Sequence, residues 1–84
     1  MTPTDFLDSL AATINDRNTQ YGDPADSFGR IAALWTALLG HEVTATDVAR
    51  CMIALKLSRS LSATDPDSWT DIAGYAAHAA GLAQ

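Results

Sequence analysis

The residues best suited to chemistry begin with a polar run after residue 15. Arg17 and Asn18 can donate to phosphate or carboxylate, and the ring of Tyr21 offers a flat face to a base. Gly22 follows and lets the backbone turn with positive φ. These residue types suit a nucleotide-like ligand, and they equally suit a loop held to the protein by its own hydrogen bonds.

A second polar group recurs near the end of the chain. At about 100° per residue, Asp71, Tyr75 and His78 fall within roughly 60° of one another on a helix. The stripe predicts either one wall of a binding site or the solvated edge of an amphipathic helix, and solvation is the stronger interpretation for His78. Asp71 also has a structural role, because an acid early in a helix interacts favourably with the helix dipole.

Two cations, Lys56 and Arg59, lie at the end of a third apolar segment. A cation at a helix carboxyl terminus is stabilised by the dipole, which fully explains Arg59. Lys56 follows the apolar Met52 and Ile53 by four and three residues, so its stem lies against a packed surface. We expect Asp71 or a ligand phosphate to satisfy the charge of Lys56.

Neither a metal site nor a catalytic residue is predicted. The chain has no CxxC, HxxxH, P-loop or dinucleotide motif and no Ser-His-Asp order. The His and Cys side chains that could bind a metal ion are not spaced as pairs of ligands; they are His41, Cys51 and His78. Two carboxylate pairs at helical spacing could hold a hard cation, namely Asp23 with Asp26 and Asp67 with Asp71.

Helix starts are marked by proline after a capping residue, or by a capping-box spacing. The four starts are Thr2-Pro3, Asp23-Pro24, Thr44-Ala45-Thr46-Asp47 and Asp65-Pro66. Apolar residues follow each start with a helical period, and Gly40 ends the second run. We predict one all-α domain, residues 1–84, as a four-helix bundle-like protomer. Its helices are placed near 3–15, 24–39, 45–60 and 66–82, with a long functional loop over 16–23.

Composition limits the partners. The chain has 84 residues, a formal charge of −5 and five Lys plus Arg, too few cations for a polynucleotide footprint. The N-terminus lacks a basic start followed by an apolar run, and no apolar stretch reaches the roughly 18–20 residues of a membrane span. A lone cysteine fits a reducing compartment. The predicted location is therefore cytoplasmic, with no membrane partner.

The short length of the chain and its wide apolar helix faces favour self-association. So short a chain buries only about 60–65% of its unfolded surface. The apolar sectors of the second and third helices are wide, with Leu34, Leu38 and Leu57 beside the main stripes, and the fourth helix is rich in Ala and Gly. We predict a homodimer or homotetramer rather than a compact monomeric bundle.

These segments together resemble a family of small phage and prophage proteins over about residues 15–80. The similar segments are Asp16-Arg17-Asn18, Tyr21-Gly22-Asp23-Pro24, Phe28, Ile31-Ala32-Ala33-Leu34-Trp35, Thr46-Asp47-Val48-Ala49, Met52–Arg59 and Asp71-Ile72-Ala73-Gly74-Tyr75-Ala76. The resemblance implies a helical phage-type protein.

That family is in turn distantly similar to the MazG-like all-α nucleoside triphosphate pyrophosphatases. Those oligomeric enzymes hold magnesium with an ExxE pair and a later ExxD pair. Only Asp71 matches the second pair, where Ser68 stands in the first position, and Asp26 and Arg30 supply no ExxE. Because most of the metal-binding carboxylates are missing, the resemblance implies a nucleotide pocket without metal-assisted hydrolysis.

The sequence therefore predicts a protein that binds a nucleotide-derived small molecule without cleaving it and without a cofactor. It would act in anti-defence as a sponge for a host immune signal, such as a cyclic ADP-ribose isomer or a cyclic oligonucleotide. The alternatives are a divergent MazG-like pyrophosphatase, which would need magnesium, and a helical protein–protein interaction module. The predicted ligand-binding residues are Arg17, Asn18, Tyr21, Gly22, Trp35, Lys56, Arg59, Asp71 and Tyr75.

Overall fold

All the regular structure in the computed structural model is helical. The structure describes residues 1–62 and 67–82, with the side chains of Tyr21 and Leu82 outside that description. The helices are α1 (Pro3–Tyr21), α2 (Pro24–Leu39), α3 (Ala45–Arg59) and α4 (Ser68–Leu82). This confirms the predicted all-α, four-helix fold.

The capping residues begin the first three helices as predicted. The Thr2 hydroxyl accepts the Asp5 N–H at 3.1 Å, and the Thr44 hydroxyl accepts the Asp47 N–H at 3.1 Å. In each case the aspartate carboxylate accepts a hydrogen bond from the capping residue's own N–H, which completes a capping box. Asp23 caps α2, whereas the predicted start at Asp65-Pro66 lies outside the described residues.

The predicted loop over residues 16–23 is wrong, because α1 continues to Tyr21. No proline or glycine lies within residues 16–21, and the exposed face of a helix accommodates polar residues as well as a loop does. The N–H of Gly22 donates to the Asn18 carbonyl at 3.0 Å, and Gly22 ends the helix with φ of +81°. Only Gly22 and Asp23 connect α1 to α2. Arg17 and Asn18 therefore project from a rigid helix.

The core lies between α2 and α3, and α4 packs along α3. Phe28 and Ala32 of α2 meet Val48 and Ala49 of α3, and both α3 residues are fully buried. The first helix buries Leu10 separately and packs against α4. A cleft consequently opens between α1 and the other helices.

No helix within the described part of the chain combines the length and apolar character needed to cross a membrane.

Candidate functional site

Three charged side chains from three helices meet at the start of α4. The Asp71 carboxylate accepts a hydrogen bond from Lys56 Nζ of α3 at 2.9 Å and another from Arg17 Nη1 of α1 at 3.0 Å. The Asp71 and Lys56 side chains are 13% and 14% exposed, whereas Arg17 is 51% exposed. The pairing of Lys56 with Asp71 is one of the two partners expected from the sequence. The triad is therefore an inner ion pair with an outer arginine.

The triad keeps its members charged. Burial disfavours the Asp71 carboxylate, but hydrogen bonds from Lys56 and Arg17 outweigh that cost and hold its pKa below the ordinary value of 3.8. The hydrogen bond to Asp71 raises the pKa of the Lys56 ammonium above its ordinary 10.5. Two cations and one anion leave the cluster with one net positive charge near neutral pH.

The cluster borders a cleft of about 320 Å³ between α1, the start of α2, and α4. Its size falls at the lower end of small-molecule pockets. Phe28 forms part of its aromatic wall, with ring centroids 6.0 Å from Tyr75 and 6.4 Å from His78. Arg17 and Arg30 add two guanidinium groups. The cleft thus combines flat aromatic rings with cationic donors.

The two carboxylates of the cleft already have partners. Asp71 is bound to two cations, and Asp23 Oδ1 accepts the Ala25 N–H at 2.9 Å as the cap of α2. Within residues 1–62 and 67–82, no three His, Cys, Asp or Glu side chains are grouped to hold a metal ion. The cleft also contains two guanidinium groups, the Asn18 amide and the hydroxyls of Ser27 and Thr70, which can donate to an anionic ligand.

The structure brings together most of the predicted binding residues. Those that line the cleft are Arg17, Asn18, Gly22, Asp71 and Tyr75. Lys56 joins them indirectly, through Asp71. Trp35 instead packs against the core, and Arg59 is not among the lining residues. The side chain of Tyr21 is outside the described part of the chain.

Several lining residues were missed by sequence reasoning. His78, interpreted there mainly as a solvated edge, is half-buried and lines the cleft, with its ring centroid 6.4 Å from that of Phe28. Arg30 and Ser27 also line the cleft from α2. Their three-residue spacing on one helix was an available signal, but nothing in a single sequence says which helix face meets α1.

Stability is expected to depend on pH through Asp71. Because its folded pKa lies below its unfolded value, the carboxylate contributes fully above that value and loses its contribution as pH falls through the folded pKa. The stability gap between wild type and Asp71→Asn should be constant from about pH 5 to 9 and shrink below about pH 4. Thermal unfolding followed by circular dichroism checks this, and a gap that persists undiminished at about pH 2 contradicts it.

Comparison with known proteins places the chain beside phage proteins. A family model described as "Domain of unknown function (DUF6378)" matches residues 5–83. The chain is similar to the "Gene 55 protein" of Mycobacterium phage D29, with 42% identity over 62 residues that cover 73% of this chain and 41% of that protein. It is also similar to the "Gene 55 protein" of Mycobacterium phage L5, with 46% identity over 74 residues, covering 84% and 47% respectively.

The chain thus spans less than half the length of either curated relative. No solved structure gives a significant match. The predicted likeness to small phage proteins is confirmed by these relatives, whereas the distant likeness to MazG-like enzymes stays a prediction.

Proposed function

The chain belongs to the DUF6378 family, and we propose that it binds a nucleotide-derived small molecule in the cleft between α1, α2 and α4 without cleaving it. The observation that carries the proposal is the composition of that cleft, where two arginines stand beside an aromatic wall. A phosphate needs the first feature and a base needs the second.

The arginines supply the phosphate contacts. Arg17 uses one N–H on Asp71, and a guanidinium has five, so further donors remain for a ligand. Within residues 1–62 and 67–82, Arg30 has no acidic partner. Lys56 keeps Asp71 neutralised if Arg17 turns toward a ligand. Phosphate binding therefore leaves no uncompensated carboxylate behind.

The aromatic wall supplies the contact for a base. Tyr75 and His78 pack on Phe28 at interplanar angles of 44° and 82°, so three rings lie together in the lining of the cleft. Asn18 adds an amide that both donates and accepts. These groups recognise a flat heterocycle by stacking and by hydrogen bonds to its edge.

Binding is favoured over hydrolysis because the acids of the cleft are engaged. A magnesium-dependent pyrophosphatase would recruit Asp67 and Asp71, with Asp23 or Asp26, as metal ligands. Asp71 would then have to leave two cations, and use of Asp23 would remove the cap of α2. The occupied carboxylates support a site that holds its ligand intact.

The phage relatives support a use for such binding during infection. A small protein that holds a host immune nucleotide, such as a cyclic ADP-ribose isomer or a cyclic oligonucleotide, lowers the free concentration of that signal in the host cytoplasm. This sponge activity requires affinity and an intact ligand, and it requires no catalytic group.

Calorimetry with ADP, cyclic ADP-ribose and a cyclic dinucleotide tests the proposal. We expect saturable binding of at least one probe, and release by heating should return it with unchanged mass in mass spectrometry. A parallel incubation uses nucleoside triphosphates with magnesium. Recovery of a monophosphate with pyrophosphate would establish the enzyme instead, and no binding by any probe would favour the protein–protein interaction module.

A further inference from the structure

One face of α2 carries an apolar stripe that no other helix covers fully. It consists of the polar Ser27 followed by Ile31, Leu34 and Leu38, spaced by four, three and four residues, which is the spacing of a helix-pairing seam. Ile31 is half-buried against the core. Leu34 and Leu38 are 62% and 81% exposed. We call these four residues the α2 seam. Ser27 also lines the cleft, so the seam begins at the binding site.

The protomer exposes more surface than a monomer of its mass. Its accessible surface is 5741 Å², about 900 Å² above the ~4,800 Å² expected for a globular monomer of 8.9 kDa. A standard protein interface buries about 800 Å² per partner. The radius of gyration, 13.8 Å, also exceeds the ~12 Å expected for a compact domain of this length. The excess is comparable in size to the area that one partner buries in a standard interface.

Charge selects the α2 seam among the exposed apolar residues. Residues 31–40 contain no charged side chain, although the chain carries a net charge of −5. When two copies pack through this segment, none of its side chains repel one another by charge. On α3 the exposed Leu55 and Leu57 are interspersed with Arg50 and Arg59, so that surface is less continuous.

We infer that a second copy of this chain packs on the α2 seam and that the protein is a homodimer joined through α2. A two-fold interface places the same patch on both subunits, and a pairing seam of Ile31, Leu34 and Leu38 is self-complementary in this sense. The partner then lies beside the mouth of the cleft at Ser27. The inference rests on surface, spacing and charge, and it is independent of which ligand the cleft takes.

Light scattering after gel filtration and native mass spectrometry of the full chain test the inference without any nucleotide. At about 100 μM the wild type should have twice the chain mass of 8.9 kDa. The double variant Leu34→Glu, Leu38→Glu should be a monomer with unchanged helix content by circular dichroism. Leu61→Glu is the matched control, because Leu61 is 90% exposed and lies outside the seam. It should remain a dimer.

A milder variant keeps the inference testable if the glutamate variant does not fold. Leu34→Ala with Leu38→Ala should weaken dimerisation by at least about tenfold. The inference is overturned by a wild type that is monomeric at about 100 μM, or by seam variants that associate as the wild type does. A wild-type tetramer also overturns the homodimer, and dissociation by Leu61→Glu equal to that by the seam variants contradicts the placement of the interface on the α2 seam.

Discussion

Replacing Asp71 with asparagine is expected to lower the free energy of unfolding by about 2–3 kcal/mol. The amide keeps the shape of the side chain and loses the charge that holds Lys56 Nζ at 2.9 Å. Lys56 is 14% exposed, so its ammonium cannot regain full hydration, whereas Arg17 can turn to water. Urea unfolding at a fixed protein concentration measures the loss of free energy. In thermal unfolding the melting temperature should fall by roughly 10–20 °C.

Two controls separate this effect from a general loss of charge. Lys56→Met retains the aliphatic stem and leaves Asp71 paired with Arg17, so it should cost less than Asp71→Asn. Arg50→Ala breaks the Arg50–Asp47 ion pair, in which both side chains are well exposed, and should cost less than about 1 kcal/mol. An Asp71→Asn variant no less stable than Arg50→Ala would contradict the structural role of the triad.

Removal of either cleft arginine is expected to weaken nucleotide binding by about 10- to 100-fold, since a hydrogen bond to a charged group contributes about 1.5–3 kcal/mol. Arg17→Ala and Arg30→Ala each delete one of the two guanidinium groups of the cleft. Calorimetry with the probe that binds the wild type measures the change. Arg17 is half-exposed, so Arg17→Ala should leave most of the stability intact.

Arg50→Ala again serves as the matched control, because it removes one positive charge from the surface of α3 and does not touch the cleft. Its affinity should equal that of the wild type. Arg17→Lys should be intermediate, since it keeps the charge and loses the planar fork of donors. Affinities of Arg17→Ala and Arg30→Ala that match the control would place the ligand elsewhere.

The triad divides stability and binding between its members. Lys56 and Asp71 join α3 to α4 as an inner pair, and Arg17 joins α1 to the same carboxylate from the solvent side. Because the inner pair compensates itself, Arg17 is the member that can exchange Asp71 for a ligand. Asp71→Asn therefore acts mainly on folding, whereas Arg17→Ala acts mainly on affinity.

The sequence by itself determined the class of fold and three of the helix starts, because caps, prolines and apolar period are local signals. Thr2, Asp23 and Thr44 begin their helices as predicted, and Gly40 ends α2 in the left-handed conformation. The local signals failed at residues 16–21, where polarity indicated a loop and the absence of a breaker before Gly22 let α1 continue. Polar residues indicate that a segment is exposed to solvent. Loops and the outer faces of helices are both exposed, so polarity alone does not distinguish them.

Only the tertiary structure decided which chemical groups act together. Residue spacing placed Asp71, Tyr75 and His78 on one face of α4, but whether that face met solvent or a neighbour depended on where α1 and α2 pack. The hydrogen bond between Arg17 and Asp71, 54 positions apart in the chain, follows from that packing. The same packing places Trp35 against the core and away from the cleft. The helical period of a sequence shows which face of each helix is apolar. A site between helices also depends on how the helices are placed relative to one another, which the period does not show.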